Sequence, residues 1–248
     1  MMSDNTEQNS MQPTKTELKN ILLSYKNKIN ENRLPQLAYL IIRKAIRNLQ
    51  LPPGETFLER EMTEMLDMSR TPVREALVRL EMDGWIRLIP RKGFSVEPIM
   101  KESIQQICQI AEALDGVAAE LATLNIDEAS IKKLESLIDL QESLLYESNL
   151  KDWADVDDEF HNLIIDYSQN ERLKSVMDSH SDQLYRARVY TINDRELPAR
   201  SIIEHRAIVA AMKARDSKAA QTLMHSHRKR GSEEILAILE RKSKNNRY

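Results

Sequence analysis

Apolar residues recur along most of the chain at spacings of three and four, the period of helices that bury one side. The first stretch, residues 1–16, carries no such period and reads as a disordered tail. Leu18, Ile21, Leu22, Tyr25 and Ile29 then predict an accessory helix within residues 17–34. Its apolar face needs a cover, and a partner subunit is the expected one. A second stripe through Leu37, Leu40, Ile41, Ala45 and Leu49 must stop at Pro52, Pro53 and Gly54, which cannot continue a helix. Glu59 to Asp67 and Thr71 to Asp83 form two short helices joined by "MSRT", too close in sequence to lie antiparallel, so they cross. The period next changes to two: "WIRLI" and "FSVEP" flank "PRKG", the pattern of a β-hairpin with a basic tip. Helix, helix, turn, helix and hairpin over residues 35–98 is the plan of a winged helix-turn-helix.

Beyond Pro98 the helical period returns without strand signals. Helices are predicted near 100–124, 127–147, 150–168, 171–191, 197–214 and 217–241, with Asp127 and Asp216 where N-caps belong and Asn170 in the break between the third and fourth. The fold expected is therefore mostly α, a winged helix-turn-helix followed by an all-helical bundle over 100–241. No internal repeat recurs, and no heptad runs long enough for an extended coiled coil.

Composition narrows the class. The 248 residues are 30% charged and 41% hydrophobic, with 5 Gly, which suits a water-soluble helical protein. No apolar run approaches the roughly 20 residues of a membrane span, and "MMSDNTEQNSMQPTKTE" has no apolar signal core. A cytoplasmic location without a membrane partner is expected. One cysteine, Cys108, cannot form an internal disulfide and reads as core filler. The net charge of −3 argues against indiscriminate nucleic-acid binding. Its distribution changes that picture. Residues 35–97 hold 10 Lys and Arg against 9 Asp and Glu, whereas residues 101–248 hold 21 against 26. Contact with DNA then depends on where the arginines of the first part sit.

On a helical wheel over Thr71 to Asp83, Val73, Ala76, Leu77 and Leu80 gather on the buried side, while Thr71 and Arg74 face away. Arg70, just ahead, projects in the same general direction. Two cations at a helix start oppose the backbone dipole unless something negative lies beyond them. DNA supplies it: arginine bridges guanine O6 and N7, and the helix N-terminus meets phosphate. Arg91, Lys92 and Gly93 at the hairpin tip would reach an adjacent groove or phosphate.

The stretch "LPPGETFLEREMTEMLDMSRTPVREALVRLEMDGWIRLIPRKGFSVEPI" closely resembles the DNA-binding domain of the GntR family of bacterial transcription regulators. The resemblance implies that Arg60, Arg70, Thr71, Arg74, Lys92 and Gly93 contact an operator, that Pro72 starts the recognition helix, and that Glu75 and Arg79 form surface pairs.

The second part holds a different chemistry. "DVDDEFHNLI" places Asp157 and His161 four residues apart on one helical face; "EHRAIV" adds His205, and "MHSHRK" adds His225 and His227. Three histidines and a carboxylate from three helices would satisfy a divalent transition metal, although a single histidine on an apolar face is usually a hydrogen-bonded core residue. His225 and His227 lie about 200° apart on their helix. The apolar neighbours Ala220 and Leu223 favour His227 as the inward one, and His180 reads as surface.

Residues 100–240 resemble the all-helical effector domain called FCD, in the FadR subfamily. That likeness implies a metal held by Asp157, His161, His205 and His227, with zinc, nickel or manganese chemically suitable, and a small organic acid whose carboxylate meets the metal. Many relatives carry an arginine one turn before the acid on the first effector helix, where this chain has Ala111 before Asp115; Arg186 and Arg188 are the substitutes expected to hold the effector. The function implied is ligand-controlled transcription regulation by a homodimer on a palindromic operator. Two other readings compete. A metalloenzyme would use an open coordination position, but no general base lies beside the ligands, Glu159 being on another face. A constitutive DNA binder would use the second domain as structure alone.

Overall fold

In the computed structural model, residues 13–245 are described, and they divide at Pro98 and Ile99 into two compact units. Residues 1–12 of the expected tail lie outside the described residues; Lys15 and Thr16 already belong to a helix.

The first unit contains α1 (Lys15–Lys28), α2 (Leu34–Arg47), β1 (Thr56–Phe57), α3 (Glu59–Leu66), α4 (Arg70–Met82), β2 (Ile86–Ile89) and β3 (Gly93–Val96). A capping box starts α1: Thr14 Oγ1 accepts from the Glu17 amide, and the Glu17 carboxylate accepts from the Thr14 amide at 2.8 Å. The apolar face of this helix is covered from within its own unit and not by the partner subunit expected. Leu18 and Leu22 of α1 sink into the core of their own unit, against α2 and α3. The Lys26 Nζ donates to the carbonyls of Leu66 and Asp67 at 3.0 and 3.1 Å, satisfying acceptors that α3 leaves open at its end.

Around that core close Ile41, Ile42 and Ile46 of α2, Met62 and Leu66 of α3, Val73, Leu77 and Leu80 of α4, and Phe94 of β3. The sheet has three antiparallel strands in the order β1-β3-β2, with Phe57 opposite Phe94 and Leu88 opposite Phe94 on the other side. The third strand, β1, was not among the predicted elements: two residues after a Pro-Pro-Gly turn carry no period of their own and are strand only because β3 pairs with them.

Gly93 makes that pairing feasible. Its φ is +111°, and an added Cβ would also meet Leu58 Cα at 2.8 Å. Replacing Gly93 with alanine should therefore cost about 1–3 kcal/mol and displace the hairpin tip. Thermal unfolding of the first unit checks this; an unchanged melting temperature would contradict it.

The second unit contains α5 (Lys101–Asn125), α6 (Glu128–Tyr146), α7 (Leu150–Tyr167), α8 (Glu171–Thr191), a 3-10 turn (Ile192–Asp194), α9 (Ala199–Lys213) and α10 (Ser217–Asn245). Side chains cap four of these helices. Asp127, Asn149, Asn170 and Asp216 accept from the amides of Ser130, Asp152, Leu173 and Ala219 at 2.8, 3.3, 3.1 and 2.9 Å. The core contains Phe160 and Ile164 of α7, Tyr185 of α8, Ile208 of α9 and Met224 of α10, and α5 packs most extensively on α10. No helix among the described residues is long and apolar enough to cross a membrane.

Candidate nucleic-acid interface and candidate metal centre

In the first unit, α4 turns Val73, Ala76, Leu77 and Leu80 inward and leaves Arg70, Thr71 and Arg74 exposed. Ser69 precedes the helix without a side-chain cap, so the first amides of α4 remain open to an acceptor. A cleft of about 520 Å³ gathers Arg60 from α3, Arg70 and Arg74 from α4, and Arg91, Lys92 and Gly93 from the tip between β2 and β3. Arg60 pairs loosely with Glu64 at 3.5 Å. Arg79 lies apart, stacked over Tyr39 with its guanidinium carbon 4.1 Å from the ring centroid and paired with Asp83 at 3.9 Å. A cleft lined by cations from two helices and a basic turn suits a polyanion.

In the second unit, α7 brings Asp157 and His161 to one point, α9 brings His205 and α10 brings His227; all four are buried. The Nε2 atoms of His205 and His227 stand 3.2 Å apart, and those of His227 and His161 3.3 Å apart. Asp157 Oδ1 lies 3.7 Å from His205 Nε2, and Oδ2 lies 3.9 Å from His161 Nε2. Neighbours fix the tautomers. His205 Nδ1 donates to Gln141 Oε1 at 2.9 Å, and His227 Nδ1 donates to Glu204 Oε2 at 2.8 Å. The rings of His205 and His227 thereby present their Nε2 lone pairs to each other. Lone pairs so placed repel one another unless a cation lies among them. Two nitrogens bound at about 2.05 Å to one tetrahedral ion stand about 3.3 Å apart, so the donor set fits a divalent metal.

The electrostatics agree. Burial, then the nearby Arg228 charge, holds His161 well below the ordinary imidazole value, and burial, then His227, does the same to His205. Burial also lowers His227, outweighing its bond to Glu204. Burial alone would raise the Asp157 carboxyl, but Arg188, with Nη1 2.6 Å from Oδ2, leads the opposing charges that bring it below its usual range. Glu204 falls to about 2: its partial burial is overcome by bonds from His227 and Arg230.

The histidine shifts predict a pH response of the metal-free protein. Unfolded imidazoles titrate near 6.5, and the folded ones refuse protons at that pH. Stability is then greatest above pH 6.5 and declines as the pH falls below it, because only the unfolded chain gains protons. Urea unfolding of chelated protein should show a lower free energy at about pH 5.5 than at about pH 8. Equal values would contradict buried neutral imidazoles.

Beside the cluster of three histidines and Asp157 is a small cavity of about 50 Å³, with Asp157, His227, Arg188, Arg195, Arg228 and Trp153 among its walls. It has room for a few water-sized groups. Arg188 lines it; Arg186, two residues away and so about 200° around α8, is buried without lining it. Neither arginine is solvated. Trp153 Nε1 is buried with no hydrogen-bond partner. Burial, then Arg188, lowers Arg195 to about 10. Asp115 pairs with Arg228, yet burial outweighs that charge and raises its carboxyl. His225 is exposed, with Nδ1 3.1 Å from the Glu112 carbonyl. Glu159 pairs on the surface with Lys133 at 2.9 Å.

Several members of this constellation were absent from the sequence expectations: Gln141, Glu204, Arg195, Arg228 and Trp153. Gln141 carried a signal, since it interrupts a buried apolar stripe of Leu134, Leu137, Ile138 and Leu144.

Comparison with known proteins matches both units. Residues 35–96 fit the model for "Bacterial regulatory proteins, gntR family", and residues 106–230 fit that of the FCD domain. The HTH-type transcriptional repressor RspR of Escherichia coli (strain K12) is 26% identical over 208 residues, 84% of this chain and 91% of that protein. An HTH-type transcriptional regulator from the TAR-I ttuE-ttuC' intergenic region of Agrobacterium vitis is 35% identical over 131 residues, 52% of this chain and 77% of its own. The solved structure of McbR/YncC from E. coli shares the fold with a TM-score of 0.73 at 22% identity, covering 86% of this chain and 100% of that one. Proteins joining these two modules bind operator DNA with the first and small-molecule effectors with the second. The relatives are named as regulators, not enzymes. The chain belongs to the GntR family of bacterial transcription regulators, with an FCD domain as its second unit.

Proposed function

We propose that this regulator is a cytoplasmic homodimer of the FadR subfamily that reads a palindromic operator and changes its affinity when a small carboxylate enters the metal-containing FCD domain. The observation that carries the proposal is the convergence of three Nε2 atoms within 3.2–3.3 Å contacts beside Asp157, next to a cavity walled by arginines. His161, His205, His227 and Asp157 would hold zinc, nickel or manganese. When bound, the metal supplies a Lewis-acidic position for a carboxylate oxygen. Arg188, Arg195 and Arg228 offset the effector's charge, and the Trp153 indole is a free donor for its far end. Arg186, buried away from this cavity, keeps at most an indirect part. The effector acts through its unequal affinity for DNA-competent and incompetent forms.

On the DNA side, Arg70, Thr71 and Arg74 would read bases, while Arg60, Lys92 and Gly93 would meet the backbone. Replacing Arg74 with alanine should cost about 1–3 kcal/mol of operator binding and narrow the gap between operator and random duplex. Anisotropy titrations of both duplexes measure it; an unchanged ratio would contradict the assignment of α4 as the reading helix.

A further inference from the structure

The helices α5 and α10 each carry one glycine in their interior, Gly116 and Gly231. A glycine inside a helix weakens it relative to alanine, so each needs a compensating use. At Gly116 packing supplies it. An added Cβ would stand 3.4 Å from the Gln221 carbonyl oxygen, so the missing side chain lets α5 and α10 approach closely. At Gly231 neither packing nor backbone supplies it. The residue has ordinary helical backbone, and an added Cβ would meet nothing within 4 Å. Gly231 is nevertheless half-buried, and it forms part of the wall of the cavity beside the histidine and aspartate cluster. His227 and Arg228, one turn earlier on α10, and Ile235, one turn later, line the same cavity. The space that a side chain at 231 would fill is therefore space of the cavity.

We infer that Gly231 is a specificity-determining residue: by withholding a side chain it leaves room for the body of the effector and sets the longest acid the regulator accepts. The inference rests on the carboxylate reading above and adds what limits the size of the acid. The ligand class is a short unbranched carboxylic acid, its carboxylate toward His227 and its chain lying across Gly231. The magnitude follows from the cavity itself. At about 50 Å³ it takes a few water-sized groups, and a methyl group is about as large as one water, so alanine at 231 would remove a sizeable part of the room. The walls cannot retreat to compensate, because Trp153, Leu184 and Ile235 are buried in close-packed surroundings.

Calorimetric titration of the full-length, zinc-loaded chain with straight-chain mono- and dicarboxylates of two to six carbons reads the limit. Gly231→Ala should keep the metal content of the wild type, because residue 231 offers no ligand atom. It should also raise the melting temperature by about 1–4 °C, as alanine replaces a helical glycine. Of the acids the wild type binds, the variant should hold the shortest within about 3-fold and the longest at least about 10-fold more weakly, the scale of one methylene in a closed pocket. Gly231→Leu should bind none of them. An unchanged length limit in both variants, or equal weakening of every acid by Gly231→Ala, would overturn the role of Gly231 and leave the carboxylate reading standing. A lower melting temperature in Gly231→Ala would show that a methyl group clashes there and would overturn it as well. A wild type that binds none of the acids with its metal in place would overturn the carboxylate reading and the size limit together.

Discussion

Changing His161 and His227 together to alanine should reduce bound metal from about one ion per chain to near zero after dialysis against zinc, nickel or manganese. Two of the three converging nitrogens are lost, and His205 with Asp157 cannot close a coordination shell alone. The variant should still fold. His161 Nδ1 has no hydrogen-bond partner to forfeit, and Glu204, deprived of His227, keeps Arg230 at 2.6 Å and Arg200 at 3.0 Å. Removing lone pairs that face one another also relieves repulsion in the metal-free state. Elemental analysis gives the stoichiometry, and far-ultraviolet circular dichroism gives the fold. Undiminished metal in a folded double variant would refute the ligand set. Gln141→Leu should be milder, a 10–100-fold loss of metal affinity, since it removes only the acceptor that orients His205.

The largest effect on stability is expected at Arg228. This residue is the partner of Asp115, which is 1% exposed. Replacing Arg228 with methionine preserves much of the packing volume but leaves a carboxylate buried without its counter-charge, at a cost of about 3–5 kcal/mol. Urea unfolding of the chelated protein measures this without the contribution of metal binding. The double variant Asp115→Leu with Arg228→Met should recover most of the loss, because an apolar pair replaces the buried ions. A single variant within about 0.5 kcal/mol of the wild type would show that the pair adds no stability.

The long helices were legible because their signals are local. A buried stripe at spacings of three and four, closed by Asp127, Asn170 or Asp216, is enough to place α6, α8 and α10 within a few residues. The winged motif was legible for the same reason, from the Pro-Pro-Gly stop and the change of period at Trp85. What escaped depends on distant parts of the chain. β1 is a strand only through its pairing with β3, and the 3-10 turn at Ile192–Asp194 follows α8 without any break residue to announce it. The spacing of Asp157 and His161 could be read from one helix, but their approach to His205 and His227 needed α7, α9 and α10 packed together. Glu204 and Gln141 support rings on helices other than their own, a relation that no spacing encodes. An apolar face records that something must bury it and not what does, so the cover of α1 by α2 and α3 of the same unit is not encoded in its stripe.

The central claim joins the two units chemically: a small carboxylate, sensed at the histidine and aspartate cluster, changes how tightly the regulator holds its operator. Fluorescence anisotropy of a labelled promoter duplex, titrated with metal-loaded and with chelated protein in the presence of two- to six-carbon mono- and dicarboxylates, tests it most directly. The account predicts that at least one acid shifts the operator Kd of the metal-loaded protein by about 5–150-fold and leaves the chelated protein unmoved. No shift with any of these acids, or an equal shift in both forms, would contradict it.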